Sequence, residues 1–315
     1  MNEKALILGT RGSELALRQA EMVEAALRAA HPQLNVVRKV IATSGDKRPD
    51  LRFSEFNTVA HVDKGIFIKE LEIALEAGEI DFAVHSLKDV PSDLAAAFRI
   101  TAVLPRANTE DVLITRDRVT LETLRARAVI GTSSVRRQRI LKWLCPAVEA
   151  VEIRGNVPTR VRKVFAPSDL DGTLLARAGL ERLGLLKGDV VSLDGKELPA
   201  LILSQDTFLP AAGQGAIGIE IRAGDDVTQE LLAAINHPVT LASVQAEREF
   251  LRLLGAGCQT PVGARTWLVG ETLHMRVLVF PEDNVQAPPL EAESSGPVGQ
   301  PLELAANLAE KIQHH

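Results

Sequence analysis

Ala5-Leu6-Ile7-Leu8, then Thr10-Arg11-Gly12-Ser13, then a run whose apolar members Ala16, Ala20, Val23 and Leu27 fall four, three and four residues apart: this opening stretch decides the fold class. The apolar run reads as a buried strand, the polar one as a loop, and the spacing as a helix with one apolar face. Ser13 is placed to cap that helix, which runs to about Ala30, and Pro32 marks the stop. The same unit recurs. Val36 to Ala42 reads as a strand, and a helix follows from about Gly65 to Ala77 with Phe67, Leu71 and Leu75 on one side. Ile80 to His85 is a strand running into Ser86-Leu87-Lys88-Asp89-Val90-Pro91. Further on, Ala128 to Ile130 feeds Gly131-Thr132-Ser133-Ser134 and a helix from near Arg136. Ala150 to Ile153 feeds Arg154-Gly155-Asn156 and a helix after Pro158, and Gly172 to Leu175 feeds a helix containing Arg182.

Strands alternating with helices imply parallel sheets covered on both faces. Two such runs, joined near Leu104 to Asp111, predict two doubly wound α/β domains. Gly213-Gln214-Gly215 and the strand Ala216 to Ile221 read as a crossover back to the first. After His237-Pro238 the pattern changes to a helix (Leu241 to Leu254), a glycine-rich loop (Gly255 to Gly263), two antiparallel strands and a last helix (Leu302 to Gln313). That is a small α+β domain, in which the Pro- and Ser-rich residues 287–300 read as loop. The expected division is 1–105 with 213–234, then 106–212, then 235–315. The polar stretch from Thr43 to Lys64 reads as a mobile flap near the site, with plain disorder as the alternative.

Composition narrows the function. The 315 residues are 46% hydrophobic and 24% charged, ordinary for a soluble globular protein. No run of about 18 apolar residues exists, so no membrane span is expected, and the first residues lack a signal-peptide profile. Two cysteines, Cys145 and Cys258, are too few for a disulfide framework and suit a reducing cytoplasm. Without CxxC or HExxH, no metal site is expected. A net charge of −5 argues against nucleic acid. Yet Arg136, Arg137 and Arg139 cluster, as do Arg154, Arg160 and Arg162. A cationic patch on an acidic protein suits a small polyanion.

Open parallel sheets bind ligands at the carboxyl ends of their strands, where helix N-termini present free N–H groups. Ser13, Thr132, Ser133 and Ser134 would add hydroxyl donors there. Arg11, Arg136, Arg137, Arg154 and Arg160 would add planar forks suited to carboxylates. A lone arginine on a helix is usually solvated, but five at equivalent strand ends predict a ligand with many carboxylates or phosphates. Asp89 beside Lys88 reads either as a structural ion pair or as the partner of a cationic intermediate and a proton-transfer group. His85 reads first as a packed histidine. Cys258, in Gly255-Ala256-Gly257-Cys258-Gln259-Thr260-Pro261, lies in a tight loop that leaves its sulfur approachable as a nucleophile, although a cysteine in a glycine loop is by itself more often inert. Cys145 reads as a core thiol.

Seven segments together resemble the porphobilinogen deaminase (hydroxymethylbilane synthase) family over essentially the whole chain. They are Thr10 to Ala16, His85 to Pro91, Gly131 to Gln138, Arg154 to Arg160, Ala178 to Gly184, Gly213 to Ala216, and the Cys258 loop. The resemblance implies three domains, the first two similar to periplasmic binding proteins, in a monomer whose substrate is porphobilinogen. It implies a dipyrromethane cofactor held by Cys258 through a thioether, onto which four porphobilinogen units condense with loss of ammonia. Hydrolysis then releases the linear tetrapyrrole. Asp89 matches the family's key acid. Arg11, Ser13, Lys88, Thr132, Ser133, Ser134, Arg136, Arg137, Arg154, Gly155, Arg160, Arg182 and Gln214 correspond to cofactor and substrate contacts, and Lys64 and Phe67 to the flap. Two positions depart from the pattern: Ala60-His61-Val62-Asp63 stands where a lysine and glycines are usual, and Arg177 replaces a small or uncharged residue. A solute-binding or sensor protein would share the fold but leave Cys258 and Asp89 without work. A cysteine hydrolase would need a histidine that nothing here pairs with Cys258.

Overall fold

The computed structural model describes residues 5–43, 68–166, 169–256, 260–282, 284 and 287–314. The chain divides into two compact units, residues 1–107 with 215–244 and residues 108–214 with 245–315.

The first unit opens with β1 (Leu6–Thr10), α1 (Glu14–Ala30) and β2 (Val36–Val40). Then come α2 (Lys69–Glu76), β3 (Phe82–Ser86) and β4 (Phe98–Val103). β1 pairs in parallel with both β2 and β3. Between β3 and β4 lies a strand from far along the chain, Ile217–Arg222, antiparallel to both. Ala20, Val23 and Leu27 of α1 pack with Leu8, Phe82 and Val84 on one face. Leu71 and Leu75 of α2 pack with Ile7 and Ala83 on the other. Burial on both faces is why β3 reads as a continuous apolar run rather than an alternation. Val23 and Leu27 are fully buried, each contributing about 1.5–3 kcal/mol. The Ser13 cap adds only about 1 kcal/mol. Packing fixes this helix.

The second unit repeats the plan. It runs β5 (Asp111–Thr115), β6 (Val129–Gly131), α3 (Val135–Leu144), β7 (Glu149–Val151), α4 (Val157–Phe165), β8 (Gly172–Ala176) and α5 (Arg177–Arg182). Three further strands follow: β9 (Leu186–Lys187), β10 (Val190–Leu193) and β11 (Lys196–Ile202). β6 is parallel to β7 and β8, while β5 is antiparallel to β8 and β11. The sheet order is β7-β6-β8-β5-β11-β10-β9. Leu113, Ile130 and Leu174 face Ile140 and Leu141 of α3, and Val112, Ile114 and Leu175 face Val161 and Val164 of α4.

The chain returns to the first sheet as β12 (Ile217–Arg222), followed by α6 (Asp226–Ala233) and α7 (Pro238–Leu253). It ends with β13 (Val262–Val269), β14 (Thr272–Val279), β15 (Leu290–Pro297) and α8 (Pro301–Gln313). One expectation is corrected here: residues 287–300 are not all loop, because β15 pairs antiparallel with β14 along its whole length. β15 is an edge strand whose one buried residue is Ala292. Its glutamates and serines give almost no apolar alternation, and Pro297 sits at its end, where a missing N–H is tolerated. Beneath the three strands, Leu273, Met275 and Val277 pack against Leu304, Leu308 and Ile312 of α8.

Candidate active site

In the first sheet β1 and β3 are neighbours with β2 on the far side of β1. The connections from β1 and β3 therefore leave in opposite directions, which opens a crevice at their carboxyl ends. Arg11-Gly12-Ser13 follows β1. Ser13 Oγ accepts from Ala16 N–H at 3.3 Å as the N-cap of α1. β3 runs directly into a single 3-10 turn, Leu87–Asp89. That turn is anchored at three points. Gln19 of α1 donates to Ser86 Oγ at 2.8 Å. Leu87 N–H donates to Ala216 C=O at 3.1 Å. The buried Leu87 side chain packs over Gly218, where a Cβ would lie 2.7 Å from its methyl group. Between these anchors Lys88 is half-buried and Asp89 exposed. His85, by contrast, is a packed histidine: its Nε2 is 2.8 Å from Oε2 of the fully buried Glu220.

The second unit offers a matching set of strand ends. After β6, Thr132 Oγ1 accepts from Ser134 N–H at 3.2 Å, Ser133 Oγ donates to Ile153 C=O, and Ser134 caps α3 by accepting from Arg137 N–H. After β7, Gly155 adopts φ +112°, a left-handed conformation in which a Cβ would lie 2.5 Å from Thr159. Its carbonyl accepts from Arg160 Nε at 2.7 Å, and Asn156 caps α4. Arg154 is 2.8 Å from Glu152. Arg182, at the end of α5, has its guanidinium pushed down to about 10 by burial, with Glu181 opposing.

Arg136 and Arg137 sit deepest. They are 4% and 5% exposed, and both converge on Asp111, which is fully buried at the start of β5. Arg136 Nη2 donates to Oδ2 at 2.7 Å, Arg137 Nη2 to Oδ1 at 2.7 Å, and Gln214 Nε2 to Oδ1 at 3.0 Å. Burial alone would raise the Asp111 carboxyl, but the two guanidiniums outweigh it and hold the group far below the usual range. Asp111 is the residue the motifs did not supply. Its one sequence signal was an acid opening the apolar strand Asp111-Val112-Leu113-Ile114-Thr115, where a buried charge must find partners.

Arg11, Ser13, Lys88 and Asp89 thus lie at the first sheet's strand ends. Thr132, Ser133, Ser134, Arg136, Arg137, Arg154, Gly155, Arg160, Arg182 and Gln214 belong to the second unit. Cys258, Lys64 and Phe67 lie outside the described residues, as does nearly all of the expected flap. Cys145 is half-buried with its Sγ against Leu121 C=O, and burial, then Glu122, pushes its thiol up. No helix is long and apolar enough to cross a membrane among the described residues, and none of their His, Cys, Asp and Glu side chains cluster as a metal site.

The first unit presents an exposed acid after β3, and the second unit buries two guanidiniums against one carboxylate, a donor set of the kind that suits an anionic group. Residues 6–230 match the model of the porphobilinogen deaminase dipyrromethane cofactor-binding domain, and residues 241–314 match that of the porphobilinogen deaminase C-terminal domain. The chain is 42% identical over 312 residues to the porphobilinogen deaminase of Syntrophotalea carbinolica, covering 99% of this chain and 93% of that one. It is 43% identical over 305 residues to that of Moorella thermoacetica, covering 97% and 92%. Among solved structures it is similar to the methionine-binding protein MetQ, at 10% identity and a TM-score of 0.42 over 78% of this chain and 90% of that one. The chain belongs to the porphobilinogen deaminase family, enzymes of tetrapyrrole biosynthesis that use a dipyrromethane cofactor. Its donors fit that cofactor: Arg136 Nε is buried with no hydrogen-bond partner among the described residues, and two guanidiniums against one carboxylate leave a positive charge for an acid side chain.

Proposed function

We propose that Cys258 carries the dipyrromethane as a thioether, that Asp89 is the acid–base residue, and that the arginines bind the acid side chains of cofactor and substrate. When bound, the dipyrromethane supplies the primer carbon to which four porphobilinogen units add before hydroxymethylbilane is released. Asp89 accepts pyrrole N–H hydrogen bonds, holds positive charge on the reacting ring and moves its proton. Lys88, beside it, and Arg11 and Ser13, on the neighbouring strand end, bind carboxylates. Thr132, Ser133, Ser134, Arg136, Arg137, Arg154, Gly155, Arg160, Arg182 and Gln214 do the same from the second unit, and Lys64 and Phe67 act in the flap.

The observation that carries this reading is the anchored turn, which presents an exposed Asp89 beside Lys88 at a switch point. The division into domains 1–105 with 213–234, 106–212 and 235–315 is part of the proposal, supported by three separate sheets. So is a cytoplasmic setting, supported by the sparse cysteines.

The test is an intact-mass measurement on freshly purified protein. The wild type is expected above its sequence mass by one dipyrromethane and to colour with Ehrlich's reagent after denaturation. Cys258→Ser is expected to show neither, and normal loading and turnover in that variant would overturn the role of the thiol.

A further inference from the structure

α3 begins in an adverse way. A helix N-terminus carries partial positive charge and favours anions in its first turn, yet the first turn of α3 has no acid and contains Arg136 and Arg137 side by side. Both are buried, so water screens little of their mutual repulsion. Burial, then Arg137, weakens the hold of Arg136 on its charge, and Asp111 opposes them. The acid that offsets this arrangement stands 25 and 26 residues away in sequence.

Asp111 does more than neutralise. Its two oxygens are divided: Oδ2 takes Arg136, while Oδ1 takes Arg137 through both Nε, at 3.1 Å, and Nη2. Each guanidinium is also fixed from behind, Arg136 Nη1 by Leu209 C=O at 2.5 Å and Arg137 Nη1 by Leu174 C=O at 2.9 Å. Gln214 holds the carboxylate itself, donating to Oδ1 and to Thr109 C=O at 2.6 Å. Phe208 lies under the Arg136 guanidinium, 5.9 Å from the ring centroid. What this leaves over is one net positive charge and an Arg136 Nε with no partner among the described residues.

We propose that Asp111 is a positioning residue for the reaction. By dividing its carboxylate between two forks it fixes the orientation in which Arg136 and Arg137 meet a cofactor or substrate carboxylate, with Gln214 setting its rotamer. The inference rests on the reading that these arginines bind such carboxylates. A second anion completes the charge balance that Asp111 leaves half-finished.

Four variants of the enzyme separate the possibilities, each followed by thermal midpoint, Ehrlich colour per mole of folded protein, and KM and kcat of the loaded fraction. Asp111→Asn removes the charge and turns a donor toward one guanidinium. It is expected to cut cofactor loading and raise KM for porphobilinogen, each about tenfold, with kcat of the loaded fraction little changed. Thr173→Val is the structural control, since buried Thr173 Oγ1 donates to Gly131 C=O at 2.8 Å in the same sheet; it should lower the midpoint alone. If Asp111→Asn behaves like Thr173→Val, Asp111 is merely structural and the inference is overturned. Arg137→Lys tests the underlying reading: wild-type loading and KM there would remove the arginine from ligand binding, whatever Asp111→Asn does. Should Asp111→Asn give no folded protein, Gln214→Met, which keeps the charge balance and removes the donor to Oδ1 together with that to Thr109 C=O, is expected to raise KM about threefold. An unchanged KM overturns the inference equally.

Discussion

The two large sheets share one order and differ in what they bury. In each, a second, first and third strand are followed by an antiparallel strand and then a fifth: β2-β1-β3-β12-β4 and β7-β6-β8-β5-β11. The antiparallel strand carries a fully buried acid in both. In the first sheet Glu220 faces His85, and burial, then Glu220, pushes the nearby Glu72 up while His85 pulls it down. In the second, Asp111 faces two arginines. After the third strand the first sheet presents an exposed Asp89, and the second an Arg177 tied to Glu110 and Glu181 at 3.2 and 2.7 Å. One frame presents an exposed acid after its third strand, the other an arginine held in ion pairs, and the roles proposed above divide along that line.

Removing that acid is the strongest challenge to the contrast. Asp89→Asn is expected to keep the dipyrromethane, by intact mass, while ammonia release slows about 10²- to 10⁴-fold. An unchanged rate would take Asp89 out of the chemistry and erase the distinction between the sheets. Glu220→Gln probes the first sheet's buried acid. The pair is structural, so loss of the charge should lower unfolding free energy by about 1–3 kcal/mol in urea titration. The kcat should stay within about twofold, and a large kcat loss would move Glu220 into the working site. Arg177→Ala is the gentlest. Its ion pairs are a quarter exposed or thereabouts, so about 1 kcal/mol or less should be lost, with KM unchanged. A raised KM would mean that this departure from the family pattern serves ligand binding.

The repeated strand–loop–helix unit was legible because its signals are local. Ser13 caps α1 as its position predicts, and Ala16, Ala20, Val23 and Leu27 are all buried. The motif segments gave the family, and through it the enzyme class and cofactor. What the sequence hid is non-local or faint. β15 has one inward side chain and no apolar rhythm. The arginines of α3 read as ligand forks, whereas much of their bonding capacity is already spent on Asp111 and two carbonyls. No spacing rule links an acid to partners more than twenty residues on, so only the fold could join them.

β4 ends at residue 103 and β12 begins at residue 217, yet β12 is the strand that joins β3 to β4. During vectorial synthesis, two edges of the first sheet therefore leave the ribosome long before the strand that closes them. Such unpaired edges invite wrong partners. The nascent first half is the vulnerable stage in making this protein, and a fragment ending before residue 217 is expected to need a chaperone or to aggregate.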